Sequence, residues 1–372
     1  MAFRFTTETL ARRERSGAGP TGDAAVGRRD DRPLVAVTVI VPAYNEAATV
    51  AETIRSLQTQ TVVPAKILVV DDCSEDRTGE VAAAAGATVI RPDANTGSKA
   101  GAQTFALGRV RTTFTMAIDA DTTLAPDAIE RLLEAFADKD VVAASGFVLP
   151  QRVRTPWERG RYVEYLFSFG FLKQVQDFYG VPLISSGCFS MYRTDQLRRL
   201  GGWSGRTLAE DMDLTWSAYQ AGLKVRFIPK AVCYPLEPHN YRFMRAQLRR
   251  WSHGFVQNVQ LHWRGILPHP FLRSMVAVAC WDAVIGSLAF LVVLPLLIAL
   301  LSPWFALGYV IDGPALLVPI VFTAMRRREL VRALVSFPCF YPLRLLNALI
   351  FVRAVLLELV LRRPLLVYEK GH

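Results

Sequence analysis

The chain has 372 residues and a formal net charge of +10 at pH 7, and 51% of its residues are hydrophobic. Its five cysteines are scattered and show no C-x-x-C spacing, so they support neither a disulfide framework nor a zinc site. The arginines crowd the first 32 residues and flank the apolar segments, and no basic stripe interleaved with aromatics occurs. This distribution favours anionic lipid and disfavours nucleic acid as a partner.

The first 32 residues are polar and rich in Arg, Gly and Ala, without an apolar run long enough for a signal sequence. They are predicted to form a disordered basic tail. The apolar excess lies after about residue 271, which separates a water-facing domain, predicted at 33–240, from a membrane part.

The water-facing domain begins with alternating strands and helices. An apolar run at 35–41 predicts a buried strand, and the helical period at 47–57 predicts a helix after it. The unit repeats, with strands at 66–70, 88–91 and 113–118 and helices at 77–85 and 99–110. This alternation predicts an α/β fold with a doubly wound, mostly parallel sheet, whose ligands bind beyond the carboxyl ends of the strands. The later part is less regular, with helices at 158–175 and 210–221 and a strand at 187–192.

The remaining residues are predicted to meet a membrane. The region 241–270 contains an amphipathic helix suited to the membrane surface. In the membrane domain, 271–372, the segments 274–301 and 304–325 are each apolar enough to cross about 30 Å of hydrocarbon. Basic loops lie on the cytoplasmic side of a membrane, so the basic stretch 326–332 and the water-facing domain are both predicted to be cytoplasmic. The protein is then predicted to be a multi-pass inner-membrane protein. For 334–361, with its Pro, Arg and Glu residues, an interfacial or re-entrant helix and a third span stay open.

Two carboxylates, Asp119 and Asp121, follow the strand at 113–118. On an extended chain an i, i+2 spacing aims both the same way, and hard oxygen ligands on an open loop suit Mg²⁺ or Mn²⁺. Such an ion can neutralise a departing nucleoside diphosphate. Two solvated or capping carboxylates are the simpler alternative.

Polar groups also follow other strands of this half. Asp71 and Asp72 end the strand at 66–70, where they could accept hydrogen bonds from a uracil or a ribose, although capping of the next helix is an alternative. Lys99 opens a helix and could hold a phosphate, or simply be solvated.

A further acidic pair, Glu210 and Asp211, starts the helix at 210–221. Compensation of the helix dipole would account for it. The functional alternative is a general base, because a sugar hydroxyl needs a carboxylate to take its proton as it attacks an anomeric carbon, and attack from the opposite face inverts that carbon.

Gln247, Arg250 and Trp251 share one face of the amphipathic helix. The arginine could stabilise a leaving diphosphate and the tryptophan could stack on an acceptor sugar. Anchoring at a membrane interface is the alternative.

The segments 42–46, 71–72, 97–102, 119–121, 186–188, 210–211 and 247–251 occur in the order found in the processive family 2 glycosyltransferases, which residues 35–263 resemble. That group holds the cellulose, chitin, hyaluronan and poly-N-acetylglucosamine synthases. The resemblance implies a GT-A fold, a UDP-sugar donor, Mg²⁺ or Mn²⁺ on Asp121 with Asp119 nearby, and Asp211 as the base beside Glu210. It also implies donor contacts and acceptor contacts. The donor set is Pro42, Tyr44, Glu46, Asp71, Asp72, Lys99, Asp119, Gln247 and Arg250; the acceptor set is Gly187, Cys188 and Trp251.

The resemblance is divided among branches. Residues 208–216 and 250–254 are similar to the poly-N-acetylglucosamine synthases, and 186–193 also to the hyaluronan and chitin synthases, so N-acetylglucosamine and glucose are the candidate sugars. These synthases usually carry transmembrane helices before the catalytic domain. Here a polymer channel would need the C-terminal helices, a membrane partner or a homo-oligomer.

Three other functions are each disfavoured by a feature of the sequence. A single-sugar transferase acting on a lipid phosphate or glycolipid shares the fold, but the 247–251 motif favours a glycan acceptor. A membrane transport component that only senses nucleotide sugars has too few apolar spans for an independent pore. A dinucleotide oxidoreductase is disfavoured because no G-x-G-x-x-G follows the first strand.

Overall fold

The structure is a computed structural model that describes residues 36–365. The basic tail predicted at 1–32 lies outside the described residues, as does the end of the predicted membrane domain at 366–372.

The first half of the sheet follows the predicted alternation. The strands are apolar and are buried on both faces of the sheet. Val39 and Ile40, successive residues of the first strand on opposite faces, are each fully buried. The strands run in the parallel order β3-β2-β1-β4. The elements are β1 (Val37–Ala43), α1 (Val50–Gln58), β2 (Lys66–Asp71), α2 (Thr78–Ala84), β3 (Thr88–Ile90), α3 (Lys99–Leu107) and β4 (Phe114–Ile118).

The second half makes the sheet mixed. The elements are β5 (Thr122–Leu124), α4 (Ala128–Glu134), β6 (Val141–Val148), α5 (Pro156–Phe167), α6 (Lys173–Phe178), β7 (Phe189–Arg193), α7 (Thr194–Arg199), α8 (Glu210–Gln220) and β8 (Lys224–Pro235). The eight strands of the described part lie in the order β3-β2-β1-β4-β7-β6-β8-β5. β7 is antiparallel to β4 and β6, and β5 is antiparallel to β8, whereas β6 and β8 are parallel. The predicted mostly parallel, doubly wound α/β fold is therefore confirmed for the first half, and β5, β6 and β8 were not predicted.

Helices cover both faces of the sheet. One core includes Val39 with residues of α1 and α4, and the other includes Ile40 with residues of α3 and α8. The carboxyl ends of β1, β2 and β4 stay uncovered between these layers, and the site lies there.

The C-terminal elements begin with α9 (Tyr241–Ile266), as predicted for an amphipathic helix. They continue with α10 (Pro270–Trp281), π-helical turns at Asp282–Gly286 and Ala289–Val293, α11 (Leu294–Leu300), a 3₁₀ segment at Pro303–Tyr309, α12 (Gly313–Arg326), α13 (Leu330–Ser336) and α14 (Phe340–Val355). Among residues 36–365, Pro270–Leu300 and Pro303–Arg326 are long and apolar enough to cross a membrane, by length and composition. They match the two predicted segments, and their insertion stays a prediction.

The segment 334–361 is not one continuous α-helix. A 3₁₀ turn at Phe337–Cys339 separates α13 from α14, and a π-helical turn, Leu356–Val360, ends the segment. α14 packs against α5 and α9. A side chain at Gly160 of α5 would lie 2.7 Å from the carbonyl oxygen of Cys339, so glycine permits this close approach. The interfacial or re-entrant helix and the third span both stay predictions for this segment.

Candidate active site

A cleft of ≈ 1110 Å³ opens beyond the carboxyl ends of β1, β2 and β4, where the sequence predicted ligands. It brings together all the predicted site residues except Asp71. Its walls include Pro42, Tyr44, Glu46, Asp72, Lys99, Asp119, Asp121, Gly187, Cys188, Glu210, Asp211, Gln247, Arg250 and Trp251.

Asp119 and Asp121 lie in the turn between β4 and β5, where the backbone N–H of Thr122 donates to the carbonyl of Asp119 at 3.2 Å. The expectation that they alternate on an extended chain was wrong, because the chain turns directly after Ile118 to begin β5. The backbone N–H of Asp119 donates to the carbonyl of Cys188 at 3.3 Å, which joins this turn to the segment before β7. Both carboxylates still reach the cleft.

Lys99 links three parts of the site. It begins α3, whose preceding residue Ser98 accepts a capping hydrogen bond from Gly101 at 3.1 Å. The Lys99 ammonium forms an ion pair with Asp119, donates to the carbonyl of Gly187 at 2.9 Å and lies 3.8 Å from Oε1 of Glu210. Lys99 is therefore not a solvated side chain at the start of a helix, which was the alternative to a functional role.

Asp211 is held in one orientation. Its Oδ2 accepts a hydrogen bond from the backbone N–H of Gly187 at 2.8 Å, and its Oδ1 accepts one from Met212 at 2.8 Å. A Cβ at Gly187 would lie 3.1 Å from Oδ2, so the contact needs glycine or a small displacement. Each carboxylate oxygen keeps acceptor capacity for a further group in the cleft.

The neighbouring Glu210 is in a different environment. Burial raises the pKa of Glu210, Lys99 and Arg250 oppose that rise, and the charge of Asp211 adds to it. Two adjacent carboxylates therefore differ: Glu210 is turned towards the Lys99 cation, and Asp211 is fixed by backbone donors.

Asp71 and Asp72, the acidic pair at the end of β2, make different contacts. Oδ1 and Oδ2 of Asp72 accept hydrogen bonds from the backbone N–H and the hydroxyl of Thr96, each at 2.8 Å, and so hold the loop before α3 at the cleft. Asp71 does not line the cleft. Its carboxylate accepts from the backbone N–H of Ser74 at 2.9 Å and from Arg91 at 2.6 Å, so the donor contact expected for it is replaced by support of the loop after β2.

A buried arginine that was not predicted from the sequence contacts two residues of the α9 motif. Arg161 of α5 is fully buried, and its Nη2 donates to Oε1 of Gln247 at 2.7 Å. Its guanidinium carbon lies 4.6 Å from the centre of the Trp251 ring. Glu164 accepts from Nη1 at 2.6 Å, and Oε2 of Glu237 lies 3.5 Å from Nε. Gln247 and Trp251 lie at i and i+4 of α9 and share a face, as predicted, and one cation contacts both.

A second missed cation lies behind the catalytic candidates. Lys173 of α6 is buried, donates to the hydroxyl of Ser186 at 2.7 Å and lies 4.7 Å from the Phe169 ring. Burial lowers the pKa of Lys173 to about 8, against the opposing effects of Cys188 and Asp211. A signal for both cations exists in the sequence, since Arg161, Tyr165, Phe169 and Lys173 recur every four residues.

Comparisons with known proteins agree with this geometry. Residues 38–201 match the sequence profile described as Glycosyl transferase family 2. An uncharacterised glycosyltransferase of Escherichia coli, YaiP, is 30% identical over 251 residues, which cover 64% of this chain and 61% of that protein. A poly-β-1,6-N-acetyl-D-glucosamine synthase of Staphylococcus epidermidis is 22% identical over 240 residues, covering 63% and 58%. The chain therefore spans about three fifths of the length of these curated relatives.

Among solved structures, the mannosyltransferase PcManGT from Pyrobaculum calidifontis, in complex with GDP-Man and Mn²⁺, superposes with a TM-score of 0.57 at 20% identity. The match covers 85% of this chain and 87% of that one, and it shows a shared GT-A-like α/β fold. The profile match identifies residues 38–201 as a glycosyl transferase family 2 domain.

Proposed function

We propose that this protein is an inverting glycosyltransferase at a membrane, which moves a sugar from a UDP-sugar to a polysaccharide or other glycan acceptor. The hydrogen bond from Gly187 to Asp211 carries the proposal, because it fixes a carboxylate in the cleft between the donor and acceptor candidates. A fixed carboxylate within reach of a hydroxyl is what proton abstraction requires.

The proposed step is a single displacement. An acceptor hydroxyl oxygen attacks the anomeric carbon and forms the new glycosidic bond while its proton passes to Asp211. The bond from the anomeric carbon to the diphosphate oxygen breaks with its electron pair on that oxygen. Since attack and departure occupy opposite faces of the sugar, the anomeric configuration inverts.

The donor would lie along the walls made by β1, β2 and α3. Asp72 and the Thr96 loop are proposed for the nucleoside, as are Pro42, Tyr44 and Glu46 after β1. Lys99 and Arg250 supply positive charge towards the diphosphate. Gln247, held by Arg161, completes this side.

Trp251, with 38% of its surface exposed, is proposed to stack on the acceptor with Gly187 and Cys188 beside it.

Asp119 and Asp121 fit a divalent cation shared with the donor. Within residues 36–365 no group of three His, Cys, Asp or Glu side chains could hold a metal alone. Mg²⁺ is typically bound by one or two carboxylates together with substrate phosphates, and these two carboxylates supply that part of the coordination. Bound Mg²⁺ or Mn²⁺ would neutralise the charge of the departing diphosphate. The Mn²⁺ in the PcManGT complex supports this assignment.

The relatives leave more than one donor to test. The staphylococcal relatives are named poly-β-1,6-N-acetyl-D-glucosamine synthases, which makes UDP-N-acetylglucosamine the first donor and UDP-glucose the second. The PcManGT complex contains GDP-Man, so GDP-mannose belongs in the same panel.

We also infer a multi-pass inner-membrane protein with a cytoplasmic catalytic domain. Two contacts of the basic stretch after α12 support the orientation. The guanidinium of Arg327 lies 3.6 Å from the centre of the Phe147 ring, and Glu329 accepts from the Tyr162 hydroxyl at 2.8 Å. Because β6 and α5 thus touch this stretch, the catalytic domain and the positive charges occupy one side of the bilayer.

The test is nucleotide release by the purified full chain with Mn²⁺ across the donor panel, with product size and anomeric configuration measured in the same reactions. Release from one donor with an inverted product supports the proposal, and a long product extends it to polymer synthesis. Release that persists in Asp211→Asn would refute the assignment of the base. Glycan export that survives Asp211→Asn, without release by wild type, would favour the transport alternative.

A further inference from the structure

The active-site cleft continues past Trp251 to the C-terminal helices. There it is lined by Asp282 from the π-helical turn after α10 and by Arg344 and Asn347 from α14. This turn and α14 pack against each other. The cleft therefore has an end at the C-terminal helices, in addition to the walls that carry the residues proposed for the nucleoside and the metal.

These polar side chains stand out against their surroundings. Asp282 is the sole acidic residue of Pro270–Leu300, a segment with the length and composition of a membrane span, and it lies near its middle. Asp282 and Asn347 are exposed, and Arg344 is half-buried. Ionisable groups in such helices are costly unless they face a polar cavity, a partner or a ligand. Their presence at the cleft indicates a polar ligand at this end.

Arg344 is already partly neutralised. It forms an ion pair with Asp312, and its guanidinium lies 4.4 Å from the centre of the Phe290 ring. Asp282 and Asn347 then remain as the carboxylate and amide that can exchange several hydrogen bonds with sugar hydroxyls. This set is better suited to a neutral carbohydrate than to a phosphate.

The other walls of this end are apolar. Ala283, Phe290 and Phe351 line it. α10, which precedes the π-helical turn of Asp282, carries large apolar side chains on its outer surface, such as Val278 and Trp281, which are 60% and 67% exposed. A ligand here meets hydrogen-bonding groups on one side and a hydrocarbon-like surface on the other.

We propose that this end of the cleft, lined by Asp282, Asn347, Phe290 and Phe351, is an acceptor subsite for a glycolipid. The sugar of the glycolipid bonds to Asp282 and Asn347, its apolar tail lies along the Phe and Ala walls, and its free hydroxyl reaches towards Trp251 and Asp211. This inference rests on the proposed glycosyl transfer and names the class of acceptor. It takes up the glycolipid that the 247–251 motif alone disfavours, because Asp282 and Asn347 line the cleft beside apolar walls.

The test compares two acceptors that differ only in their tail, dodecyl and methyl β-D-N-acetylglucosaminide, with the full chain in lipid nanodiscs and the donor found active above. We expect the dodecyl glycoside to have a KM at least about tenfold below that of the methyl glycoside, because its tail is removed from water. Asn347→Leu should raise the dodecyl-glycoside KM about tenfold and leave the donor KM unchanged. Equal KM values for the two glycosides, or an unchanged KM in Asn347→Leu, would overturn the subsite.

Arg353→Leu is the matched control, since Arg353 is exposed on α14 and does not line the cleft. Its KM should stay at the wild-type value. Equilibrium binding of a fluorescent dodecyl glycoside, without donor, separates the two hypotheses. Binding that Asn347→Leu abolishes in a chain that releases no nucleotide would keep the subsite and overturn the transfer, whereas absence of both binding and release would overturn both.

Discussion

The two walls of the cleft are built in different ways. The wall proposed for the donor, called the donor wall, is represented by Tyr44, Asp72 and Lys99. These residues directly follow a strand or begin a helix of the parallel half. The wall proposed for the acceptor, called the acceptor wall, is represented by Lys173 and Trp251 and is held by two buried cations. Arg161 of α5, behind this wall, contacts Gln247 and Trp251 of α9, and Lys173 donates to Ser186. Local strand and helix geometry positions the first wall, whereas long-range contacts position the second. The two walls should respond differently to substitution.

Asp211, where the walls meet, should give the largest effect. Asp211→Asn keeps the shape of the side chain and removes the proton acceptor, so we expect kcat to fall by about 10²–10⁴-fold. Because UDP is proposed to bind the other wall, its affinity should change by less than about twofold. Steady-state nucleotide release and calorimetric binding of UDP measure the two quantities.

Asp211→Glu serves as the comparison, because it keeps the base and moves it. Partial activity in Asp211→Glu with none in Asp211→Asn indicates chemistry rather than folding. Turnover of Asp211→Asn near the wild-type value would remove Asp211 from the mechanism.

The same contrast explains what the sequence could predict. The four parallel strands were visible because each is an apolar run before a turn, and the residues after them form the donor wall. β8 was not visible, because its pairing with β6 is interrupted by register shifts and its burial does not alternate regularly. Arg161 and Lys173 recur with Tyr165 and Phe169 every four residues, but they were missed because a charged residue in a helix is usually solvent-exposed. The tertiary structure buries these two.

Asp121 tests the donor wall. Asp121→Ala removes one of the two carboxylates proposed for the metal, and we expect activity to fall by about 10²-fold or more together with its dependence on Mn²⁺. Titration of nucleotide release with Mn²⁺ after treatment with EDTA measures both. Wild-type transfer that is unaffected by EDTA would contradict the metal assignment.

Arg161 tests the acceptor wall. Arg161→Met releases Gln247 and Trp251 and leaves Glu237 buried without its cation, which costs about 3–5 kcal/mol of stability. The double variant Arg161→Met with Glu237→Gln avoids the unpaired charge. We expect it to fold and to raise the acceptor KM about tenfold, because Trp251 loses the cation against its ring. The donor KM should rise as well, because Gln247 loses its hydrogen bond from Arg161. An unchanged acceptor KM in the folded double variant would make Arg161 purely structural.

Lys173 predicts how stability depends on pH. Its pKa is lowered to about 8, below the value of a lysine in the unfolded chain. The unfolded chain therefore binds more protons between these values, and stability rises with pH there, by about 3 kcal/mol if this group acts alone. Lys173→Met should remove that rise. Unfolding midpoints from pH 7 to 10.5 measure it, and parallel curves for the two proteins would contradict the prediction.

Asp71 should give the smallest effect and sharpens the boundary of the donor wall. Its carboxylate supports the loop after β2 through Ser74 and Arg91, outside the cleft, whereas Asp72 holds the Thr96 loop at the cleft. Asp71→Asn keeps an acceptor for the Ser74 N–H, so we expect the donor KM to change by less than about twofold, with a loss of about 1 kcal/mol from the weakened pairing with half-exposed Arg91. Asp72→Asn should raise the donor KM about tenfold, because an amide cannot accept both Thr96 hydrogen bonds through two oxygens. Kinetics of the two variants side by side measure this contrast, and a larger effect of Asp71→Asn on the donor KM would extend the donor wall behind the loop that Asp71 supports.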